Sequence, residues 1–245
     1  MNECESAVAP EQKLLGGFVQ DIPGLLRFLK KTNGVIVGSA VLHALMGRPS
    51  GVVSDLHIVF TYVTGEELSS SLLHYENYFM SQGYLAVPFS KRDVSQTEQS
   101  EYLQVPEVSL LFNRQSDGKT IYVRTEVSAE SFSPLFEVAW ATHMYTFATH
   151  EAIYCMFPRL TVEKQQSVIF ARHIANDKER VGYYRKCGFT FISPIGVDET
   201  PEYCSRRNVN DEYTLRVPFS FSVGGKFVSD YVVRIDNDRS SLVWK

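Results

Sequence analysis

With 245 residues, 44% of them hydrophobic and 13% aromatic, the chain has apolar material for one large domain or two modest ones. A net charge of −4 and a pI near 5.9 give no electrostatic footprint for nucleic acid. No stretch approaches the roughly 18 apolar residues of a membrane span, no basic-then-apolar leader follows Met1, and Cys4, Cys155, Cys187 and Cys204 have neither zinc spacing nor a disulfide framework. Unpaired thiols and a cytoplasmic location are the expectation.

Residues 1–13 read as a loose or partly ordered lead. A helix opens at Ile22-Pro23, with Asp21 as N-cap and Leu25, Leu26, Phe28 and Leu29 as its apolar stripe, and Asn33-Gly34 ends it. Val35-Ile36-Val37 is a β-branched run that suits a strand buried on both faces. Gly38 then turns the chain, Ser39 is the expected N-cap of a short helix Ala40–Met46, and Gly47 is its stop. A glycine and a serine at a helix N-terminus can serve as cap and turn alone, or can hold an anion on free backbone N–H groups. Ser54-Asp55-Leu56-His57-Ile58 begins the next strand. Side chains two apart share a face, so Asp55 and His57 point one way while Leu56, Ile58 and Phe60 face the core.

Thr64 and Glu67 form a capping box for a helix running to about Ser81, with Leu68, Leu72, Tyr75 and Phe79 on its buried face, His74 beside them and Gly83 beyond. Tyr84–Phe89 is a short strand and Ser90–Glu101 an exposed loop. Val105–Phe112 and Thr120–Val127 flank Asp117-Gly118 and read as a hairpin, with Tyr122, Arg124 and Glu126 on one face of its second strand. Phe132–Thr149 is apolar on most sides and reads as a buried helix, with His143 and His150 as core or edge histidines. A long helix is expected from Thr161 to Cys187, stopped by Gly188. Beyond it come strands at Phe189–Ser193, Tyr213–Phe221 and Lys226–Ile235, the last two joined as a hairpin at Gly224-Gly225, with Glu199–Glu212 a polar loop and Leu242-Val243-Trp244 an apolar tail. Alternating strand and helix followed by antiparallel strands predicts an α+β fold: a core over 14–130, with a helical and β part over 131–245 packed on it.

The order Gly38-Ser39, helix, strand with Asp55 resembles the signature of the nucleotidyltransferase superfamily. That signature is a glycine-serine turn followed on the next strand by Asp-x-Asp. Trp140-Ala-Thr-His-Met144, Phe157-Pro-Arg-Leu-Thr161 and Tyr184-Arg-Lys-Cys-Gly-Phe189 are similar to segments of a fungal group of nucleotidyltransferase-like proteins, and the resemblance spans roughly residues 15–220. It implies a mixed nucleotidyltransferase-like sheet flanked by helices. It further implies nucleotide phosphates on Gly38 and Ser39, and Mg²⁺ or Mn²⁺ on Asp55 with a third carboxylate on a later strand, for which Glu126 is the acid available. His57 stands where the second aspartate belongs. Imidazole is a poor Mg²⁺ ligand and supplies no negative charge to a two-metal centre. Members of the group often lack a full metal triad, so two functions stay open. One is a nucleotide- or partner-binding protein with a degenerate, weakly metal-binding site. The other is an active enzyme moving a nucleoside monophosphate from an NTP to an unidentified protein or small-molecule acceptor.

Tyr183–Phe189 also resembles a segment of acetyltransferases that hold the acetyl-CoA pyrophosphate on a glycine-rich turn. Gly182 is the lone glycine between Arg159 and Tyr183, so that turn is missing and an acyltransferase is the weakest alternative.

Overall fold

The computed structural model describes residues 8–48, 53–87, 109–127, 139–169, 178–192, 207–221, 223–224 and 232–233. It is an α+β protein built on one mixed, eight-stranded sheet. The first half supplies β1 (Val35–Val37), β2 (Asp55–Tyr62), β3 (Leu85–Val87), β4 (Ser109–Arg114) and β5 (Lys119–Val127). The second half supplies β6 (Thr146–Ala148), β7 (Ala152–Cys155) and β11 (Leu215–Pro218). Their order across the sheet is β11-β7-β6-β1-β2-β5-β4-β3. Only β2 and β5 run parallel; every other neighbouring pair in this sheet is antiparallel. Because β6 pairs directly with β1, the residues after 130 extend the sheet as well as packing upon it. Two small sheets stand apart: β8 (Gln166–Val168) beside β9 (Thr190–Ile192), and β10 (Arg207–Asn208) beside β12 (Val232–Val233).

The central strands carry an apolar core on each face, as the run Val35-Ile36-Val37 requires. Ile36, Leu56, Ile58, Phe60, Ile121 and Val123 lie on one side. They are covered by α1 (Pro10–Leu15), α2 (Ile22–Lys31) and α4 (Gly65–Ser81), through Leu14, Leu15, Leu25, Leu26, Leu29, Tyr75 and Phe79. Val35, Val37, Val59, Phe147 and Tyr154 lie on the other, beneath Trp140, Met144, Leu160, Tyr184 and Phe189. The short α3 (Ser39–Leu45) is wedged between the two, with Leu42 in one core and Val41 and Ala44 in the other.

The local devices are the expected ones. Asp21 accepts the Gly24 N–H at 2.9 Å to cap α2. Thr64 and Glu67 exchange both bonds of the capping box at α4. The β4–β5 hairpin closes through Gly118 at φ 71°, braced by Arg114 on Asp117. Gly47, Gly83 and Gly188 all take positive φ just past a helix end.

Several expectations are corrected. Of the lead, expected loose or partly ordered, the part from Pro10 is helical, and the buried Glu11 carboxylate accepts the Ser220 and Phe221 N–H groups at 3.0 and 3.2 Å, tying α1 to the chain beyond β11. The helix predicted over Phe132–Thr149 is absent where it is described. Residues 139–140 have no regular structure, Ala141 is extended, Thr142–Met144 is one 3₁₀ turn, and β6 follows. A segment buried on every side has no period to distinguish helix from strand. The helix expected from Thr161 to Cys187 is instead a π-turn (Arg159–Glu163), β8 and a later α5 (Lys178–Lys186), with 170–177 outside the described residues. Gln165 at φ 50° breaks the run. β11 pairs with β7 and β12 with β10, so the described parts of the last two strands do not form the predicted hairpin. The predicted polar loop contains a wholly buried side chain, Arg207, held by Asp211 at 2.8 Å. Ser90–Glu101, Cys4, Cys204 and the apolar tail lie outside the described residues, while Cys155 and Cys187 are thiols outside any disulfide. No described helix is long and apolar enough to cross a membrane.

Candidate functional site

The site is built where β1 ends, α3 begins and β2 starts. Gly38 leaves β1 at φ 89°, ψ −164°, a conformation essentially closed to residues with a Cβ. It takes the N-cap position itself. Ser39, expected to cap, is the first helical residue and makes no side-chain cap bond. The Tyr183 phenol on α5 lies near enough to Ser39, and to Cys187 one turn on, for each to influence its titration. Burial raises the pKa of both Tyr183 and Cys187; Ser39 opposes the shift at the phenol, and Tyr183 and Arg48 oppose it at the thiol.

Asp55 and His57 share a face, as the spacing predicts, and touch: His57 Nε2 donates to Asp55 Oδ2 at 2.6 Å. The Ser54 hydroxyl donates to the other carboxylate oxygen at 3.2 Å. Burial alone would raise the Asp55 pKa, but the bond and charge of His57, helped by Ser54, bring it below the ordinary carboxylate value. The His57 ring is 8% exposed and stacks on Tyr122, its register partner on β5, with centroids 4.7 Å apart and planes 6° from parallel. Gly38 lies close by, since a Cβ built there would stand 3.5 Å from His57 Cδ2. The β5 end of the site is pinned as well: Thr120 N–H donates to the Ser54 carbonyl at 2.9 Å and the Lys119 ammonium to the Val53 carbonyl.

Glu126 is not brought to this place. Asp55 pairs with Thr120 and His57 with Tyr122, whereas Glu126 pairs with Thr61 near the far end of β5. Six residues at roughly 3.3 Å each put it about 20 Å along the strand from Asp55. The strand neighbours of His57 are Val37 and Tyr122, neither a carboxylate. Hard divalent cations take oxygen ligands, usually several carboxylates. Here one carboxylate is already engaged by an imidazole, and among the described residues no group of three or more His, Cys, Asp or Glu has metal-holding geometry. The donor set among the described residues does not fit the Mg²⁺ or Mn²⁺ pair that the resemblance implies.

Tyr122, Tyr183, Cys187, His43 and Arg48 join the site without having been singled out for it in the sequence. His43 carries a local signal, four residues after Ser39 and therefore on the same helix face. Tyr183 and Cys187 arrive from the other end of the chain through tertiary packing that no local pattern announces. Burial and the nearby Arg48 lower the His43 pKa, with Asp55 opposing them. No protein-family model, no curated protein and no solved structure matches the chain.

Proposed function

We propose that the chain is a nucleotidyltransferase-like protein that binds a nucleotide beside Gly38-Ser39 and Asp55, with little or no nucleotidyl transfer. The observation that carries this reading is the Asp55–His57 bond at 2.6 Å, in the place where the resemblance puts a pair of metal-binding aspartates. A carboxylate committed to an imidazole is a weak starting point for the electrostatic stabilisation that phosphoryl displacement needs. The remaining features suit binding rather than turnover: a glycine turn at a helix N-terminus with the Ser39 hydroxyl on its first residue.

Calorimetry with ATP, GTP, CTP and UTP, each with Mg²⁺ and with Mn²⁺, tests binding. Transfer from α-labelled NTPs, run beside Mg²⁺ titration of wild type, His57→Asp and Asp55→Ala, tests catalysis. We expect at least one nucleotide to bind, no transfer by wild type, and tighter Mg²⁺ binding by His57→Asp. Robust wild-type transfer that Asp55→Ala abolishes would overturn the reading in favour of an active nucleotidyltransferase. Unchanged Mg²⁺ affinity in His57→Asp would show that His57 does not occupy the second aspartate's place.

A further inference from the structure

His143 is the point at which β8, α5 and β9 meet the 3₁₀ turn of the second core. The residue is wholly buried. Its ring centroid lies 4.2 Å from that of Tyr184 on α5 and 5.2 Å from that of Trp140. Phe189, just before β9, and Phe191, within it, stand at 5.3 and 5.8 Å. From β8 comes Ser167, its Oγ 2.7 Å from Nδ1.

The hydrogen bonds around Ser167 decide which form of the ring fits. Ser167 Oγ accepts the His143 N–H at 3.3 Å, and Thr142 Oγ1 accepts the Val168 N–H at 3.1 Å. The two hydroxyls lie 3.2 Å apart. If Thr142 donates to Ser167 and Ser167 to Nδ1, both hydroxyl protons are used and the Nε2–H alone is left unmade. The reverse direction strands the Thr142 proton as well as the Nε2 lone pair, so the first direction is favoured. Nδ1 is then an acceptor and the ring is neutral. A second ring proton would point at the proton of Ser167 and bring a charge into apolar surroundings. No charge stands by to offset it. Arg159 and Glu163 of the π-turn and Arg185 and Lys186 of α5 are exposed, β8 and β9 carry no charged residue, and the phenol of Tyr184 is the titratable group against the ring. Burial is the sole influence on the ring's titration. The attraction of a cation for aromatic rings is smaller than the cost of stripping its water.

β9 pairs with β8, and their two-stranded sheet is separate from the eight-stranded one. The Thr190 N–H donates to the carbonyl of Gln165, the residue held at φ 50°. Withdrawing α5 and β9 therefore breaks no ladder of the main sheet. It does uncover His143. It also takes Gly188 from the end of α3, where Arg48 Nη2 stands 3.6 Å from a Cβ built on that glycine.

We propose that neutral His143 latches α5 and β9 as a pH-sensitive flap, which opens on acidification while the eight-stranded sheet stays paired. Opening gives the ring to water, where it takes the proton that the closed packing refuses. Each pH unit below the ordinary histidine value near 6.5 then favours the open form about tenfold. The open form is a minor species of the folded protein, so hydrogen exchange detects it where a melting curve does not.

Exchange of the full chain, resolved by peptide and corrected for intrinsic rates, is followed from pH 7 to 5 for wild type, His143→Leu and His143→Gln, with and without sub-denaturing urea. In wild type, amides of 178–192 should exchange faster than those of β1, β2 and β5 and respond little to urea. Their protection should fall about tenfold per pH unit below 6.5. Neither replacement side chain takes a proton, and glutamine keeps a hydrogen-bonding group for Ser167, so this pH dependence should vanish in both variants. If 178–192 shares the protection and urea response of β2, opening is global and the flap is overturned. Local opening that is flat with pH in wild type would overturn the latch, and the wild-type measurements decide this even where a variant does not fold. A tenfold slope that survives in either variant would overturn the assignment to His143.

Discussion

Gly38 is the residue at which backbone conformation and site geometry meet. A methyl group there would find His57 Cδ2 at 3.5 Å, an ordinary van der Waals distance, so space is not the obstacle. The obstacle is φ 89° with ψ −164°, which an L-residue adopts only under strain. Gly38→Ala should therefore destabilise the fold by about 1–3 kcal/mol through the backbone term alone. Urea unfolding would check it: a shifted midpoint with an unchanged slope is expected, whereas wild-type stability would mean that the turn can relax. Much of this site was legible in the residues. The alternation of a strand placed Asp55 and His57 together, and a glycine before a helix marked the turn. What stayed hidden was the use of each side chain. Ser39 reads as a cap from its type, but Gly38 fills that position and the Ser39 side chain makes no cap bond.

Among the elements, those with punctuation were readable and those without were not. α4 is marked by Thr64 and Glu67 at its start and Gly83 after its end, and the helix runs as expected from Gly65 to Ser81. Val63 and Thr64 N–H both donate to the Glu67 carboxylate, at 3.0 and 3.2 Å, while Glu67 N–H donates to Thr64 Oγ1 at 3.2 Å. Thr64→Ala should cost about 1 kcal/mol, the usual worth of a lost N-cap. The site should be untouched, because α4 covers the opposite face of the sheet from His57. Nucleotide affinity measured beside the melting temperature would separate the effects, and a fall in both would contradict that layering. Residues 139–169 had no such punctuation. Through Phe157 every side chain is buried, so hydrophobic periodicity carries no information there, and the turn from π-helix to β8 rests on Gln165 adopting a positive φ that few would assign to glutamine. Glu126 shows the same limit in a strand. Its face could be read from alternation, but its distance from Asp55 depends on the parallel register of β2 with β5, which is a tertiary fact.

On the scale of the molecule, one sheet separates two cores, and the second holds a buried imidazole that links its stability to pH. His143 is wholly buried beside the rings of Trp140, Tyr184, Phe189 and Phe191. Its Nδ1 is bonded with the Ser167 hydroxyl at 2.7 Å. Burial pushes its pKa down from 6.5 to about 3. In the unfolded chain the ring titrates near its ordinary value. Between the two values the unfolded state therefore binds a proton that the native state refuses, and stability falls as pH falls. The loss begins near pH 6.5 and approaches about 1.4 kcal/mol per pH unit until the native value is reached. His43 acts in the same direction over a smaller range, its shift being more modest. Asp211 adds its part at lower pH. Bonds from Arg207 and the Asn208 N–H outweigh its burial and depress its pKa, so the stability it confers is present above the ordinary carboxylate value and is lost as pH drops through the depressed one. The window from pH 6 to 4 thus belongs mainly to His143. His143→Leu fills the same apolar surroundings without a proton to refuse, and Ser167 keeps Thr142 as a partner at 3.2 Å. The variant should lose less stability on acidification than wild type, even if it begins slightly less stable at pH 7. Because β6 joins the two halves through β1, unfolding in that window should be one transition by far-UV and near-UV signals alike. Urea midpoints measured at half-unit steps from pH 7 to 4 test this. Parallel slopes for wild type and His143→Leu would show that His143 accepts a proton in the folded protein, and two separated transitions would show that the two cores unfold independently across their shared sheet.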